Sequence, residues 1–134
     1  MTRHSFCSGT PWEDQVGYSR AVRFGDHIFI SGTTASNEDG STVAAGDPYG
    51  QTKFIIDKIE HMLREAGAEL KDVVRTRMFV TDIDQWEEIG RAHNEVFGEI
   101  RPAATMVQVS RLVNPDHLVE MEVDAIVTFV DNYF

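Results

Sequence analysis

The sequence has little of what marks secreted or membrane-spanning chains. It contains one cysteine, Cys7, so no disulfide can close within the chain and a reducing compartment is expected. No stretch approaches the roughly 20 apolar residues that cross a bilayer, and Met1–Phe6 has no apolar signal core. We therefore expect a cytoplasmic protein with no membrane partner.

Basic residues are also scarce. The chain has 12 Lys and Arg against 22 Asp and Glu, which gives a formal net charge of −10. Such a charge repels a phosphate backbone, and no run of Lys or Arg offsets it locally. We therefore expect no nucleic-acid partner.

The rest of the composition is that of a folded domain. Hydrophobic residues make up 42% of the chain and charged residues 25%, which argues against disorder. A domain of this size buries roughly two-thirds of its unfolded surface, so we expect a single domain over residues 1–134. Residues 1–16 are expected to form an irregular N-terminal segment.

A hairpin and a helix are predicted in the first half of the chain. The turn signal Gly25-Asp26 separates the strand-like runs Tyr18–Phe24 and His27–Ser31, which predicts a β-hairpin. A helix is predicted to begin at Asp47-Pro48, because Asp accepts free amides and Pro at the first position sacrifices no hydrogen bond. This helix is predicted to end at Gly67. Its predicted buried face is Ile55, Ile59, Met62, Leu63 and Ala66.

A strand, a second helix and another strand follow. The first strand is predicted over Asp72–Thr81 and the second over Ala104–Leu112. Between them, Asp84 and Glu87 form a capping box that predicts a helix start, and Pro102 ends the helix. The predicted inward-facing residues are Val74, Met78 and Val80 on the first strand, and Trp86, Ile89, His93, Val96 and Phe97 on the helix.

The final strand, predicted over Leu118–Val130, has the clearest pattern. One face alternates at period two through Val119, Met121, Val123, Ala125, Val127 and Phe129. The opposite face begins with Glu120, Glu122 and Asp124, which need solvent, counter-charges or a site. The element order β-β-α-β-α-β-β predicts an α+β fold with two helices packed on one face of a mixed sheet.

Seven short motifs are spread from about Gly17 to Thr128. They are Gly17–Val22, Ile30–Gly32, Asp72–Arg75, Phe79–Asp82, Arg101–Ala103, Val107–Val109 and Val119–Glu122. Each motif is short, but their order and spacing over almost the whole chain are specific. In this order they resemble the Rid family (YjgF, reactive-intermediate deaminases).

The resemblance implies a chorismate-mutase-like fold that assembles as a homotrimeric barrel. Small-molecule ligands are then expected in clefts between neighbouring subunits. It also implies hydrolysis of enamines or imines to a 2-oxo acid and ammonia, without a metal or an organic cofactor. In such a barrel the polar face of the final strand gains a partner.

The resemblance also assigns site residues. Glu120 matches the glutamate that handles the catalytic water, Tyr18 the cleft tyrosine, and Ser31-Gly32 the cleft strand. Each has a structural alternative: a solvated carboxylate, an ordinary strand tyrosine, or a glycine that only marks a bulge.

The expected carboxylate anchor is missing. Ala104 occupies the position of the family's substrate-binding arginine, and a methyl group cannot replace a bidentate guanidinium. Met106 stands where a cysteine is frequent, and Gly90 where an asparagine is frequent. Thr105 can offer a hydroxyl to a ligand or serve only as a strand former. The candidates to replace the anchor across subunits are Arg20, Arg75 and Arg77.

Other polar residues receive structural interpretations. We expect His93 to be a packed, hydrogen-bonded histidine, and Glu122 and Asp124 to be paired charges facing neighbouring subunits. His4 and Cys7 are too few ligands for zinc, so no metal site is predicted.

The leading functional hypothesis is a deaminase-like hydrolase acting on an imine, enamine or related carbonyl metabolite. Glu120 aids water addition, and classical 2-imino acids are expected to be poor substrates because of Ala104. The alternative is a non-catalytic trimer that binds a metabolite or a protein. Ribonuclease or translation-inhibitor activity is disfavoured by charge, and a chorismate-mutase-like reaction is supported by fold analogy alone.

Overall fold

A computed structural model describes residues 1–128 as a six-stranded sheet covered by helices on one face. In chain order the elements are β1 (Arg3–Phe6), α1 (Pro11–Val16), β2 (Ala21–Phe24), β3 (His27–Thr34), α2 (Pro48–Glu65), β4 (Val73–Val80), α3 (Trp86–Phe97), β5 (Ala103–Gln108) and β6 (Val119–Ile126). Short 3₁₀ helices at Leu70–Asp72 and Ile83–Gln85 precede β4 and α3. None of the helices in this part of the chain is long and apolar enough to cross a membrane.

The strands lie in the order β1-β2-β3-β6-β4-β5. The β4–β5 pair is parallel and the other pairs are antiparallel, so the sheet is mixed and the expected α+β class is confirmed. Helices α2 and α3 pack together on one side, which we call the helix face. The opposite side, which we call the outer face, carries Phe29, Arg77, Glu120, Glu122 and Asp124.

The core lies between the helix face and the two long helices. The alternation predicted for the final strand is confirmed, because Val119, Met121, Val123 and Ala125 are all buried. They pack against the apolar face of α2, which includes the fully buried Ile55, Ile59 and Leu63. Phe129 and Val130, which were assigned to the same strand, lie outside the described residues.

The predicted limits of α2 are confirmed. The side chain of Asp47 accepts a hydrogen bond from the amide of Gly50 at 3.0 Å, and Pro48 opens the helix. The chain leaves the helix at Ala66 and turns at Gly67, whose φ of 88° is in the left-handed region that favours glycine.

The start of α3 differs from the capping-box prediction. The side chain of Asp82 accepts from the amide of Asp84 at 3.0 Å, and a 3₁₀ turn precedes the helix. Because α3 begins only at Trp86, that side chain stands in the first turn and is 55% exposed rather than buried.

The prediction that Val74 shares one face of β4 with Met78 and Val80 is wrong. The pairing with β6 shifts register between Val73 and Arg75, so one extra residue reverses the alternation. Val73 is consequently 3% exposed, and Val74 is 43% exposed.

Residues 1–16 are not irregular. Strand β1 pairs antiparallel with β2, and α1 follows it. The carboxylate of Glu13 holds the loop between β1 and α1 by hydrogen bonds. It accepts the Ser8 amide at 2.9 Å, the Thr10 hydroxyl at 2.7 Å and the Ser8 hydroxyl. A six-residue helix held by such local bonds carries too little periodicity to be recognised from sequence.

We expect Glu13→Gln to destabilise this N-terminal connection. Desolvation raises the pKa of Glu13, but hydrogen bonds from Ser8 and Thr10 outweigh it and lower the pKa to about 2. The free energy of unfolding should fall by about 1.5–3 kcal/mol, the usual value for hydrogen bonds to a charged group. Urea denaturation at pH 7 measures this loss, with the exposed neighbour variant Asp14→Asn as the control.

The sign of the pH dependence follows from the same bonds. Because folding lowers the pKa of Glu13 from 4.5, its contribution is complete above that value and disappears as the pH falls toward 2. The stability difference between the wild type and Glu13→Gln should therefore shrink over that interval. A difference that is unchanged at pH 2 contradicts the assignment.

Candidate functional site

Glu120 lies on β6, on the outer face of the sheet. Its neighbours across the two adjacent strands are Thr34 on β3 and Phe79 on β4. Burial raises the pKa of the Glu120 carboxyl, the Arg20 guanidinium lowers it, and Glu122 raises it. The net shift is upward, so this half-buried carboxylate is a stronger base than an exposed glutamate.

Gly32 packs directly against Glu120. The β3–β6 pairing shifts register between Ile30 and Thr33, so Ser31 and Gly32 form a bulge in β3. A Cβ atom added at Gly32 would overlap Oε2 of Glu120 and stand 2.9 Å from its Cδ. Gly32 therefore lies in the bulge, as one of the two interpretations of this glycine expects, and its missing side chain makes room for Glu120.

Tyr18 and Ser31 line a shallow, open depression of about 520 Å³, and the Ser31 hydroxyl donates to the carbonyl of Ser19 at 2.6 Å. Tyr18 is 36% exposed. Ser31 precedes Gly32 in the bulge, and Gly32 packs against Glu120. We call Tyr18, Ser31, Gly32 and Glu120 the Glu120 side.

Residues of β5 occupy a different place. Ala104 pairs with buried Thr76 and Met106 pairs with buried Met78, so both side chains lie on the helix face. Thr105 lies between them in the strand and therefore points to the outer face. All three belong to an edge strand, and Ala104 and Thr105 are exposed.

Helix α3 runs along this edge. Nε2 of His93 and Oγ1 of Thr76 are 2.9 Å apart, which fixes the middle of the helix beside the Ala104 position. At the other end, the amide of Ile83 donates to Oε1 of Gln108 at 3.0 Å. His93 also packs on Phe97, so its expected structural role is confirmed.

Helix α3 and the edge strand β5 bound the second part of the candidate site. Trp86, Gly90 and His93 follow one side of α3 at helical spacing, and Ala104 and Met106 lie on the helix face of β5. We call these five residues the α3–β5 groove. A Cβ atom at Gly90 would meet nothing within 4 Å, so there is open space beside the helix at this position. Burial lowers the pKa of His93, which favours a neutral imidazole here.

The predicted site therefore divides into two parts within one chain. The Glu120 side lies on the outer face, whereas Ala104 and Met106 lie on the helix face. The sequence resemblance named residues of both parts. It did not identify Trp86 or His93 as groove residues, although their spacing from Gly90 was visible.

Two of the three candidate replacement cations are already engaged. Arg77 forms ion pairs with Glu122 at 3.3 Å and Asp124 at 3.2 Å. These two acids are therefore paired, as expected, but within their own chain. Arg20 donates to backbone carbonyls of the β3 bulge, whereas Arg75 is exposed.

Within residues 1–128, no group of three or more His, Cys, Asp or Glu side chains is placed to hold a metal ion. Cys7 is exposed and free.

Comparison with known proteins gives consistent matches over most of the chain. The family model described as "Endoribonuclease L-PSP" matches residues 11–127. An uncharacterized protein of Streptomyces coelicolor is 37% identical over 125 residues, covering 93% of this chain and 92% of that protein. The 3-aminoacrylate deaminase RutC of Acinetobacter baylyi is 36% identical over 113 residues, which cover 84% of this chain and 88% of that protein.

A solved structure agrees with these matches. A member of the YjgF/YER057c/UK114 family from Mycobacterium tuberculosis superimposes with a TM-score of 0.85 at 46% identity, covering 94% of this chain and 100% of that one. The sequence match and the shared fold lead to the same assignment: this chain belongs to the YjgF (Rid) family.

Proposed function

We propose that this protein is a Rid-type hydrolase that adds water to the carbon of an imine, an enamine or a related carbonyl metabolite. The observation that carries the proposal is the half-buried Glu120 carboxylate, which is seated against Gly32 and has a raised pKa. A relative named for 3-aminoacrylate deamination, 36% identical to this chain, supports the reaction class.

The chemistry requires one group that takes and returns protons. Glu120 removes a proton from water as the water oxygen bonds to the imine carbon, and it delivers that proton to the nitrogen. It then takes the hydroxyl proton of the carbinolamine and gives it to the amine as the carbon–nitrogen bond breaks. The products are a carbonyl compound and ammonia. An enamine is first protonated at carbon, which converts it to the imine, and the imine then follows the same steps.

We further propose that the complete site forms between copies of the chain in a homotrimer. The Glu120 side and the α3–β5 groove lie on opposite faces of one sheet, so a single chain cannot close both around one ligand. The unpaired edge β5 and the exposed outer-face side chains Phe24, Phe29 and Val107 offer apolar surface to a second copy. Sedimentation at micromolar concentration should give a mass near three chains, whereas a stable monomer contradicts this assembly.

The substrate class follows from the groove. Its residues are Trp86, Gly90, His93, Ala104 and Met106, and none of them supplies a guanidinium for a carboxylate. We therefore expect weak turnover of 2-imino acids generated by a coupled amino-acid-oxidising enzyme, and better turnover of uncharged imines. Release of ammonia measures both.

The same screen separates the proposed enzyme from a binding module. A ligand that raises the melting temperature without releasing ammonia or changing chemically indicates a non-catalytic metabolite-binding protein. Endoribonuclease activity, which the family description names, is not proposed for this chain. Its net charge of −10 opposes binding to the phosphate backbone of a nucleic acid.

A further inference from the structure

We propose that Arg20 is a positioning residue for Glu120. Its guanidinium fixes the β3 bulge on which the Glu120 carboxylate is seated, and its charge faces that carboxylate. This inference rests on the proposed function, because it takes Glu120 to be the proton-transfer group.

The position of Arg20 is fixed by its own backbone. Its amide donates to the carbonyl of Phe6 at 2.8 Å, and its carbonyl accepts from the amide of Ser31 at 3.0 Å. The residue therefore continues the pairing of β2 with both neighbouring strands and stands beside the bulge.

The guanidinium then binds the bulge itself. Its two terminal nitrogens each donate to the carbonyl of Gly32 at 3.1 Å, and one also reaches the carbonyl of Ser31 at 3.4 Å and Oγ1 of Thr33 at 2.7 Å. A bulge leaves backbone groups without a strand partner, and here a planar arginine fork satisfies them together. Gly32 carries the guanidinium at its carbonyl and the Glu120 carboxylate against its Cα.

The charge of Arg20 also acts on the Glu120 carboxyl. Burial raises the pKa of the Glu120 carboxyl, and of the neighbouring charges Arg20 lowers it while Glu122 raises it. On β4, Arg77 is paired with Glu122. On α2, Lys58 donates to the carbonyls of Thr34 and Ser36, and burial and Arg20 both lower its pKa.

His117 precedes β6 and is a further titratable group near Lys58. Burial lowers its pKa, the charge of Lys58 lowers it further, and Asp116 raises it. Arg20 is thus the cation that most directly offsets the burial of Glu120.

The test uses Arg20→Gln and a matched control. Glutamine keeps one amide that can donate to a carbonyl but removes the charge and the fork. Arg23→Gln is the control, since Arg23 also donates to backbone carbonyls, those of Gly25 at 2.9 Å and Ala66 at 2.7 Å, on the helix side of β2. The readout is the titration of the Glu120 carboxyl carbon by NMR, assigned through its loss in Glu120→Gln. This readout needs no turnover.

The midpoint of Glu120 should move upward by about one pH unit in Arg20→Gln, as expected when a close opposite charge is removed. It should stay unchanged in Arg23→Gln. An unchanged midpoint in folded Arg20→Gln overturns the proposal, even if catalysis by Glu120 is established. A shifted midpoint without any turnover supports the positioning role of Arg20 and means that the proposed function, not this inference, is wrong.

Arg20→Lys keeps the inference testable if the glutamine variant does not fold. Lysine retains the charge but cannot bridge the three acceptors of the bulge. With a substrate from the screen, kcat should fall about tenfold or more at an unchanged KM, because misplacement of a proton-transfer group costs rate rather than binding. The acidic limb of the pH–rate profile should remain near that of the wild type. Wild-type kcat in Arg20→Lys overturns the proposal.

Discussion

Glu120→Gln should lower the turnover of any accepted imine or enamine about 10²- to 10⁴-fold, the usual contribution of general acid–base catalysis. Glutamine keeps the length and hydrogen-bonding reach of the side chain but cannot accept a proton. Because Glu120 lies on the outer face and not in the core, melting temperature and assembly mass should be unchanged. Single-turnover ammonia release measures the loss of chemistry separately from binding.

Glu122→Gln is the matched control. Glu122 follows on the same face of the same strand, but it is paired with Arg77 and its cross-strand neighbour is Arg77 rather than Phe79. This variant should change turnover far less than Glu120→Gln. If Glu120→Gln is fully active, or Glu122→Gln loses more activity, Glu120 is structural and the proposed mechanism is wrong.

The raised pKa of Glu120 also predicts a pH dependence. As the pH falls through that pKa, the carboxylate becomes protonated and can no longer accept a proton from water. The acidic limb of kcat/KM should therefore lie above the ordinary glutamate value of 4.5, because burial, the largest cause, shifts the pKa upward. If the acidic limb of the pH profile is absent in Glu120→Gln, Glu120 is the group that titrates there.

Features set by local chemistry were predictable from sequence. The alternation of Val119 through Ala125 and the Asp47-Pro48 helix start both depend on neighbours in sequence, and both are confirmed. The pairing of Arg77 with Glu122 and Asp124 was not predicted, because it depends on the register of β4 against β6.

One error arises where a single residue changes the parity of a strand. The register shift after Val73 places Val74 on the opposite face of β4 from Met78 and Val80. A second register shift, after Ile30, places Gly32 against Glu120. Bulges of this kind depend on tertiary pairing, and no period-two pattern in one strand encodes them.

The division of the site was also beyond sequence reasoning. The motif that contains Ala104 and the motif that contains Glu120 are assigned to one cleft by resemblance. Their faces are decided by the parallel pairing of β5 with β4 and the antiparallel pairing of β4 with β6. Only the resulting register shows that the two residues lie on opposite sides of the sheet.

Ala104→Arg should raise kcat/KM for 2-imino acids by about 10- to 100-fold. Two charge-assisted bonds from a guanidinium to a carboxylate are the strongest polar contact available at this position, and 1.4 kcal/mol corresponds to a factor of ten. Ala104 is exposed on the edge strand of the sheet, so the longer side chain can be accommodated. Ammonia release from a 2-imino acid and from an uncharged analogue should be compared in the same assay.

The gain must depend on both the place of the arginine and the charge of the substrate. Ala103→Arg is the control, because Ala103 is exposed on the same strand but faces the outer side, opposite Arg75 in the register. It should leave imino acid turnover at the wild-type level, and Ala104→Arg should not improve the uncharged analogue. An equal gain for both substrates, or for both variants, contradicts the assignment of Ala104 to the carboxylate position. If the wild type turns over 2-imino acids efficiently and Arg75→Gln abolishes that turnover, Arg75 supplies the carboxylate anchor instead.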